Sequence, residues 1–197
     1  MFGAFIFGLI AVILTKFERF GLKLSIFVLF VFLSIRYDYG NDYMNYLSQF
    51  NEINKYGNFN EDWFVIKGNE VGWLYLNRFF GDLGFFSMIG FLALINMLIL
   101  YFFIRKYVSP KYYWFAVFLY AFQPYNMLVL SSAMRQAVAV SFFLIGLDFI
   151  IRRKPIQYVF IILFGSLFHS TSYVFLPLFL LFRINVKINW VYIVLIM

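Results

Sequence analysis

Apolar residues along this chain come in runs, and short clusters of charge separate the runs. The apolar stretches are Met1 to Leu14, Leu24 to Ile35, Leu83 to Ile104, Tyr112 to Leu130, Ala133 to Ile151, Ile156 to Phe168, Tyr173 to Phe182, and one that opens at Ile188. A helix needs about 20 apolar residues to cross the hydrocarbon core of a bilayer, and the third, fourth and fifth runs approach that length. The shorter runs either borrow flanking residues, with Lys16 or Lys23 snorkelling towards the headgroups, or form half-helices. The pattern predicts an all-α polytopic integral membrane protein. It would be a helical bundle of about 7–8 hydrophobic segments, some short or re-entrant, in a single membrane domain over residues 1–197.

Between the second and third runs the pattern changes. Gly40–Asn41 is turn chemistry, and Asn41 is a good N-cap for a helix opening just after it. Tyr43, Tyr46, Leu47, Phe50 and Ile53 then recur at helical spacing, which predicts an amphipathic helix lying on the membrane surface. The stretch Ile156 to Phe182 allows two readings. A hairpin would turn at His169–Ser170–Thr171–Ser172, whereas a single long helix would kink near Pro177. The hairpin is preferred because it keeps every basic cluster on one side of the membrane. Asn189 to Met197 is apolar without a basic flank, and about nine residues cannot span a bilayer, so truncation is expected.

Composition sharpens the solvent question. Apolar residues make up 64% of the chain and charged residues 13%, against about 45–50% and about 25% in soluble domains. Phenylalanine alone occupies 30 positions of 197. So much apolar surface needs lipid around it. The first run lacks both a preceding positive region and a small-residue cleavage site, so it reads as a retained helix rather than a signal peptide.

The net charge of +7 would suit a nucleic-acid binder, but its placement argues otherwise. Lys16, Arg19 and Lys23, then Arg105, Lys106 and Lys111, then Arg152, Arg153 and Lys154, then Arg183 and Lys187 sit in short connections. Only Glu18 and Asp148 accompany them, and Asp148 is spaced to pair with Arg152 on one helix face. Residues 36–82 hold four bases (Arg36, Lys55, Lys67, Arg78) and seven acids (Asp38, Asp42, Glu52, Glu61, Asp62, Glu70, Asp82). The positive-inside rule puts the basic turns in the cytoplasm and residues 36–82 outside, as a long extracytoplasmic loop with amphipathic helices. The charge is a topology signal, and no nucleic-acid partner is expected.

The unusual polar residues gather on that outer side. Arg36, Asp38 and Asp42 would meet near the interface, where a guanidinium can hold a phosphate and a carboxylate can take a proton. Their plain alternative is a helix cap beside solvated loop acids. Glu70 in Glu70–Val71–Gly72–Trp73 could face a substrate groove, or could belong to an interfacial helix anchored by Trp73. Arg135 opens a long apolar run beside Gln136, Ser131 and Ser132. A charge so placed faces a bundle interior or a watery cavity, or else snorkels. With no cysteine there is no thiolate nucleophile or disulfide. His169 is the sole histidine, so a multi-histidine metal site is excluded. Its neighbours Ser170, Thr171 and Ser172 form a polar island between apolar runs, and ionisable groups at membrane depth are functional by default.

Arg36 to Tyr46 (RYDYGNDYMNY), Glu70 to Trp73 (EVGW), Ser131 to Val140 (SSAMRQAVAV) and Phe168 to Ser172 (FHSTS), in this order, resemble the EpsG family, relatives of the Wzy O-antigen and capsule polymerases. The resemblance implies a GT-C-like bundle in the bacterial cytoplasmic membrane, with its active face extracytoplasmic. Such proteins join oligosaccharide repeat units carried on undecaprenyl diphosphate, in contact with the bilayer and with other polysaccharide-assembly proteins. By family length the chain would be roughly an N-terminal half. In such a reaction Arg36 and Arg135, helped by Gln136, Tyr43 and Ser170, would bind the substrate. Asp38, Asp42, Glu70 or His169 would serve as base, and Tyr43, Tyr46 and Trp73 would stack on sugars. No metal or cofactor is demanded where arginines carry the charge, although an Asp-rich loop could bind a metal. A flippase for lipid-linked glycan, or an inactive membrane fragment, are the alternatives.

Overall fold

The computed structural model describes residues 2–17, 20–55, 70–123 and 132–183. All regular structure among them is helical: α1 (Phe2–Leu14), α2 (Gly21–Ile35), α3 (Tyr43–Lys55), α4 (Val71–Phe79), α5 (Phe85–Tyr107), a 3-10 turn (Pro110–Tyr112), α6 (Tyr113–Phe122), α7 (Met134–Ile151), α8 (Pro155–Ser166) and a 3-10 helix (Ser170–Arg183). The run expected to open at Ile188, and the part of the fourth run beyond Gln123, lie outside the described residues.

Two helices, α5 and α7, are long and apolar enough to cross a membrane, and less than half of each is buried inside the protein. At 1.5 Å per residue, the 23 residues of α5 reach about 35 Å. The remaining faces carry Phe86, Phe91, Leu94, Ile95, Leu98 and Phe102, all exposed, as a helix solvated by lipid requires.

The core has two parts, and α5 threads both. Its first half (Phe85, Met88, Ile89, Leu92) packs with Tyr43, Tyr46 and Phe50 of α3, Trp73 of α4, and Met134 and Val138 of α7. Its second half (Ala93, Met97, Leu100, Ile104) packs with α1, α2 and α6. Side-chain hydrogen bonds tie the inner layers together. Ser25 donates to the carbonyls of Ala11 (2.6 Å) and Gly21 (2.7 Å), joining α1 to α2. Ser141 donates to Asn96, joining α7 to α5.

Three sequence-based expectations change here. The apolar face of α3 is covered by protein rather than membrane: Tyr43, Tyr46, Phe50 and Ile53 are buried against α4 and α5. Trp73 is not an interfacial anchor. The residue is 4% exposed, and its ring meets Tyr46 edge-on at 5.4 Å. Helical periodicity says that a face is apolar, but not which apolar medium it meets. The α3 helix begins at Tyr43, so Asp42 rather than Asn41 immediately precedes it.

The hairpin reading of 156–182 holds. Chain direction reverses between α8 and the 3-10 helix: Tyr158 on one limb donates to the carbonyl of Phe175 on the other. Nearer the turn, Gly165 faces Ser172. The second limb compensates for being short, because 14 residues of 3-10 helix extend roughly 28 Å at about 2 Å per residue.

The two ends of the bundle differ in kind. At the C-terminal end of α7, Asp148 accepts from Lys106 and Tyr107 of α5 and from Arg152 at 2.9 Å, the expected pair. At its N-terminal end, about 20 Å away along 13 residues of helix, lies Arg135.

Candidate functional site

Four separated stretches of sequence meet at Arg135, one of them the N-terminal end of α7 and the other three packed around it. The first is the turn between α2 and α3. Gly40 has φ +83°, and a Cβ there would lie 2.4 Å from the Cβ of Ser132. Only glycine accepts both the left-handed backbone and that approach. The contact presses the turn onto the residues that open α7, and the Asp42 backbone N–H donates to Ser132 Oγ at 3.4 Å.

The second and third stretches are the start of α4 and the hairpin turn. The Gly72 N–H donates to the carbonyl of Leu167 at 2.8 Å. A Cβ on Gly72 would meet that same oxygen at 3.0 Å, so glycine permits the approach. The Leu167 carbonyl thereby satisfies a donor that the first turn of α4 would otherwise leave open. Phe168 stacks on Phe142 of α7 at 5.6 Å, which fixes the turn from its other side.

These packings bring Glu70 into the space between α7 and the hairpin turn. Its Oε2 accepts from Arg135 Nη1 at 2.5 Å. Its Oε1 lies 2.6 Å from His169 Nδ1 and accepts the Ser170 backbone N–H at 3.0 Å. The Glu70 side chain is 10% exposed, Arg135 25% and His169 21%. Burial alone would raise the Glu70 carboxyl, but the bond from His169, the Ser170 N–H and the Arg135 charge together hold it below its ordinary range. Glu70 is therefore an ionised acceptor at neutral pH. An ionised carboxylate cannot donate, so Nδ1 of His169 carries the hydrogen of that bond and any proton exchange falls to Nε2.

Arg135 also stands over the Tyr46 ring, with Cζ 5.5 Å from its centroid, and its Nε is buried with no hydrogen-bond partner. The guanidinium forms one wall of an open cavity of about 310 Å³, lined otherwise by Asp42, Asn45, Tyr46, Ser48, Gln49 and Glu52. The polar face of α3 thus looks into the same space as Arg135. The apolar periodicity of α3 alone does not reveal this face. Asn45, Ser48, Gln49 and Glu52 recur at helical spacing and could have been read as a polar stripe opposite the apolar one.

The other sequence-derived residues divide. Gln136 follows Arg135 on α7 and is half-buried. Ser170 contributes its backbone N–H, while its side chain is exposed. Asp38 is exposed, with φ +46°, and no contact joins it to Glu70 among the described residues. Arg36 is 7% exposed and its Nε has no partner. Burial pushes its guanidinium down to about 10, opposed by the neighbouring Tyr43 and Tyr120 hydroxyls, so it remains protonated at neutral pH. No described contact joins Arg36 to Arg135 or to Glu70. Tyr43 is fully buried against Tyr37 and Phe85, so its ring presents no free face for stacking on a sugar, and the same holds for Tyr46 and Trp73. Ser131 lies outside the described residues. Among those described, no three His, Cys, Asp or Glu side chains converge as a metal-binding group would require.

No curated protein and no solved structure matches the chain. A family model does: that of the EpsG family, over residues 21–197. The matched region contains all four stretches that meet at Arg135, and EpsG is a family of Wzy-like polymerases. With its lipid-facing helices and this match, the chain is a membrane protein that belongs to the EpsG family.

Proposed function

We propose that this chain acts in joining oligosaccharide repeat units carried on undecaprenyl diphosphate, during synthesis of a bacterial exopolysaccharide, capsule or O-antigen. The reaction would take place at the extracytoplasmic face of the cytoplasmic membrane, within a multi-pass GT-C-like bundle that includes the segment 36–82. Family membership supports the polymerase role. The observation that carries the chemistry is the single carboxylate of Glu70 holding both His169 and Arg135.

A glycosyl transfer needs a base for the acceptor hydroxyl and a cation for the departing diphosphate. His169 suits the role of base. With Nδ1 bonded to Glu70, its Nε2 takes the hydroxyl proton as the oxygen attacks the anomeric carbon. The bond from that carbon to the diphosphate oxygen breaks with its electron pair, and the diphosphate leaves on its lipid. Arg135 suits the role of cation, since its guanidinium lines the cavity and stays charged beside Glu70. The cavity beside Arg135 suits sugar hydroxyls, because Asp42 and Glu52 accept while Asn45 and Gln49 both donate and accept. Glu70, already saturated and ionised, orients the pair rather than taking the proton itself. Arg36 and Asp38 remain candidates for contact with other parts of the substrate.

The test is replacement of His169 or Arg135 by alanine in the full-length gene. Long polymer should disappear while membrane insertion is unchanged, and lipid-linked single repeats should accumulate outside. Normal polymer length in both variants would overturn the proposal, and accumulation inside would favour a flippase.

A further inference from the structure

At the end of the bundle opposite Arg135, a cavity of about 710 Å³ opens between the α1–α2 turn, the end of α5 and the start of α6. Four cations line it from four places in the chain: Lys16 after α1, Lys23 in α2, Arg105 in the last turn of α5 and Lys111 before α6. Among the described residues none of the four has a carboxylate partner. Arg105 donates to its neighbour Tyr101, while Lys23 and Lys111 lie over the rings of Phe20 and Tyr112. Glu18 and Arg19, outside the described residues, cancel formally.

Basic residues at this end are not unpartnered as a rule. Lys106 and Arg152 share Asp148. Among the described residues, the cavity gathers four charges of one sign without a carboxylate between them, and confinement raises the potential there. The rim adds a second requirement. Phe17, Phe20 and Trp114 line the cavity and are 60%, 52% and 48% exposed, and Phe102 and Leu24 continue the apolar surface along the neighbouring helices. A ligand that satisfies both features has a phosphate end and a hydrocarbon end. Free phosphate meets only the first.

We infer that this cavity is a binding site for an anionic phospholipid, its phosphate among Lys16, Lys23, Arg105 and Lys111 and its acyl chains along the aromatic rim. Basic pockets between membrane helices recognise such headgroups, and the volume lies within the range of small-molecule sites. The site is separate from the Glu70 array and stands whether or not the polymerase reading holds. It would fix the α1–α2 turn against α5 and α6 in membranes rich in anionic lipid.

The experiment uses the purified chain in nanodiscs of phosphatidylcholine carrying a spin-labelled phosphatidylglycerol as probe, with retention of the probe measured against its mole fraction. The Lys23→Gln/Lys111→Gln variant should bind about 30-fold more weakly, at roughly fivefold per cation removed. Lys154→Gln, at the same end but not lining the cavity, should bind as wild type. Arg105→Gln gives an independent reading if the double variant loses helix content. Equal retention of spin-labelled phosphatidylcholine, or unchanged binding in the cavity variants, would overturn the inference. Displacement of the probe by millimolar pyrophosphate would also overturn it, by showing a site for free anions.

Discussion

Removing the carboxylate of Glu70 should cost more than removing any other acid among the described residues. Three donors converge on it: Arg135 Nη1, His169 Nδ1 and the Ser170 N–H. Breaking a fully buried ion pair costs roughly 3–5 kcal/mol, most of it from the charge left behind. With side-chain exposures of 25% for Arg135 and 10% for Glu70, the expectation for Glu70→Ala is lower, about 2–3 kcal/mol. For a chain of this size that lowers the thermal midpoint by roughly 4–12 °C. Glu70→Gln keeps the shape and one acceptor, so about half that loss is expected. A double-mutant cycle with Arg135→Gln, read by thermal unfolding in one detergent, separates the pair from its surroundings. A coupling of about 1.5–2 kcal/mol is expected, whereas independent sites add within about 0.5. Strict additivity would refute the argument, since it would mean that the two side chains do not share an interaction free energy.

The same array makes the protein acid-sensitive. Because the folded state holds the Glu70 carboxyl low, its contribution is complete above the unfolded carboxyl value of about 4.3. It is lost as pH falls below that through the lower folded value. Wild type should therefore lose stability faster than Glu70→Gln below about pH 4, as thermal midpoints across pH would record. Asp148→Asn should cost under about 1 kcal/mol despite breaking two ion pairs, because Lys106 and Arg152 are 42% and 51% exposed and water takes the place of the lost partner. Gly72→Ala should lower stability by about 1–3 kcal/mol through overpacking against the Leu167 carbonyl, and polymer yield should fall with it because the same contact seats His169. Ser141→Ala, which removes the bond to Asn96, should cost about 0.6–1.7 kcal/mol, as interhelical bonds within membranes do.

Much of this architecture was legible in the sequence, and the reasons are physical. Apolar runs reported the helices because lipid demands a continuous apolar exterior, and the partition of charge matched the two ends of α7. The hairpin followed from the same charge logic, with Tyr158 and Phe175 meeting across it. The features that stayed hidden depended on packing between distant segments. Glu70 and His169 are 99 residues apart, and no periodicity links them. Gly72 looked like an ordinary small residue in a weak motif, yet the close approach of the Leu167 carbonyl requires it. The burial of Tyr43 and Trp73 was hidden for a related reason: an aromatic side chain beside a polar loop suits a sugar, a headgroup or another ring equally well.

The arrangement around Glu70 also divides the labour among the ionisable groups. Sequence alone left four bases open: Asp38, Asp42, Glu70 and His169. A carboxylate that already accepts three hydrogen bonds has little basicity to offer, and each donor that holds it in place lowers its affinity for a proton further. The same bonds have the opposite consequence for His169, where a fixed Nδ1–H leaves a directed lone pair on Nε2. Under that division Glu70→Gln should leave substrate binding nearly intact and reduce turnover, because a glutamine can present its NH2 rather than its oxygen to the ring and so reverse the preferred tautomer. His169→Ala should remove activity at every pH, with a loss on the order of 100- to 10,000-fold for a general base. Retention of full activity by His169→Ala alongside loss in Asp42→Asn would move the base to the α3 cavity, and would leave the Glu70 array a purely structural lock.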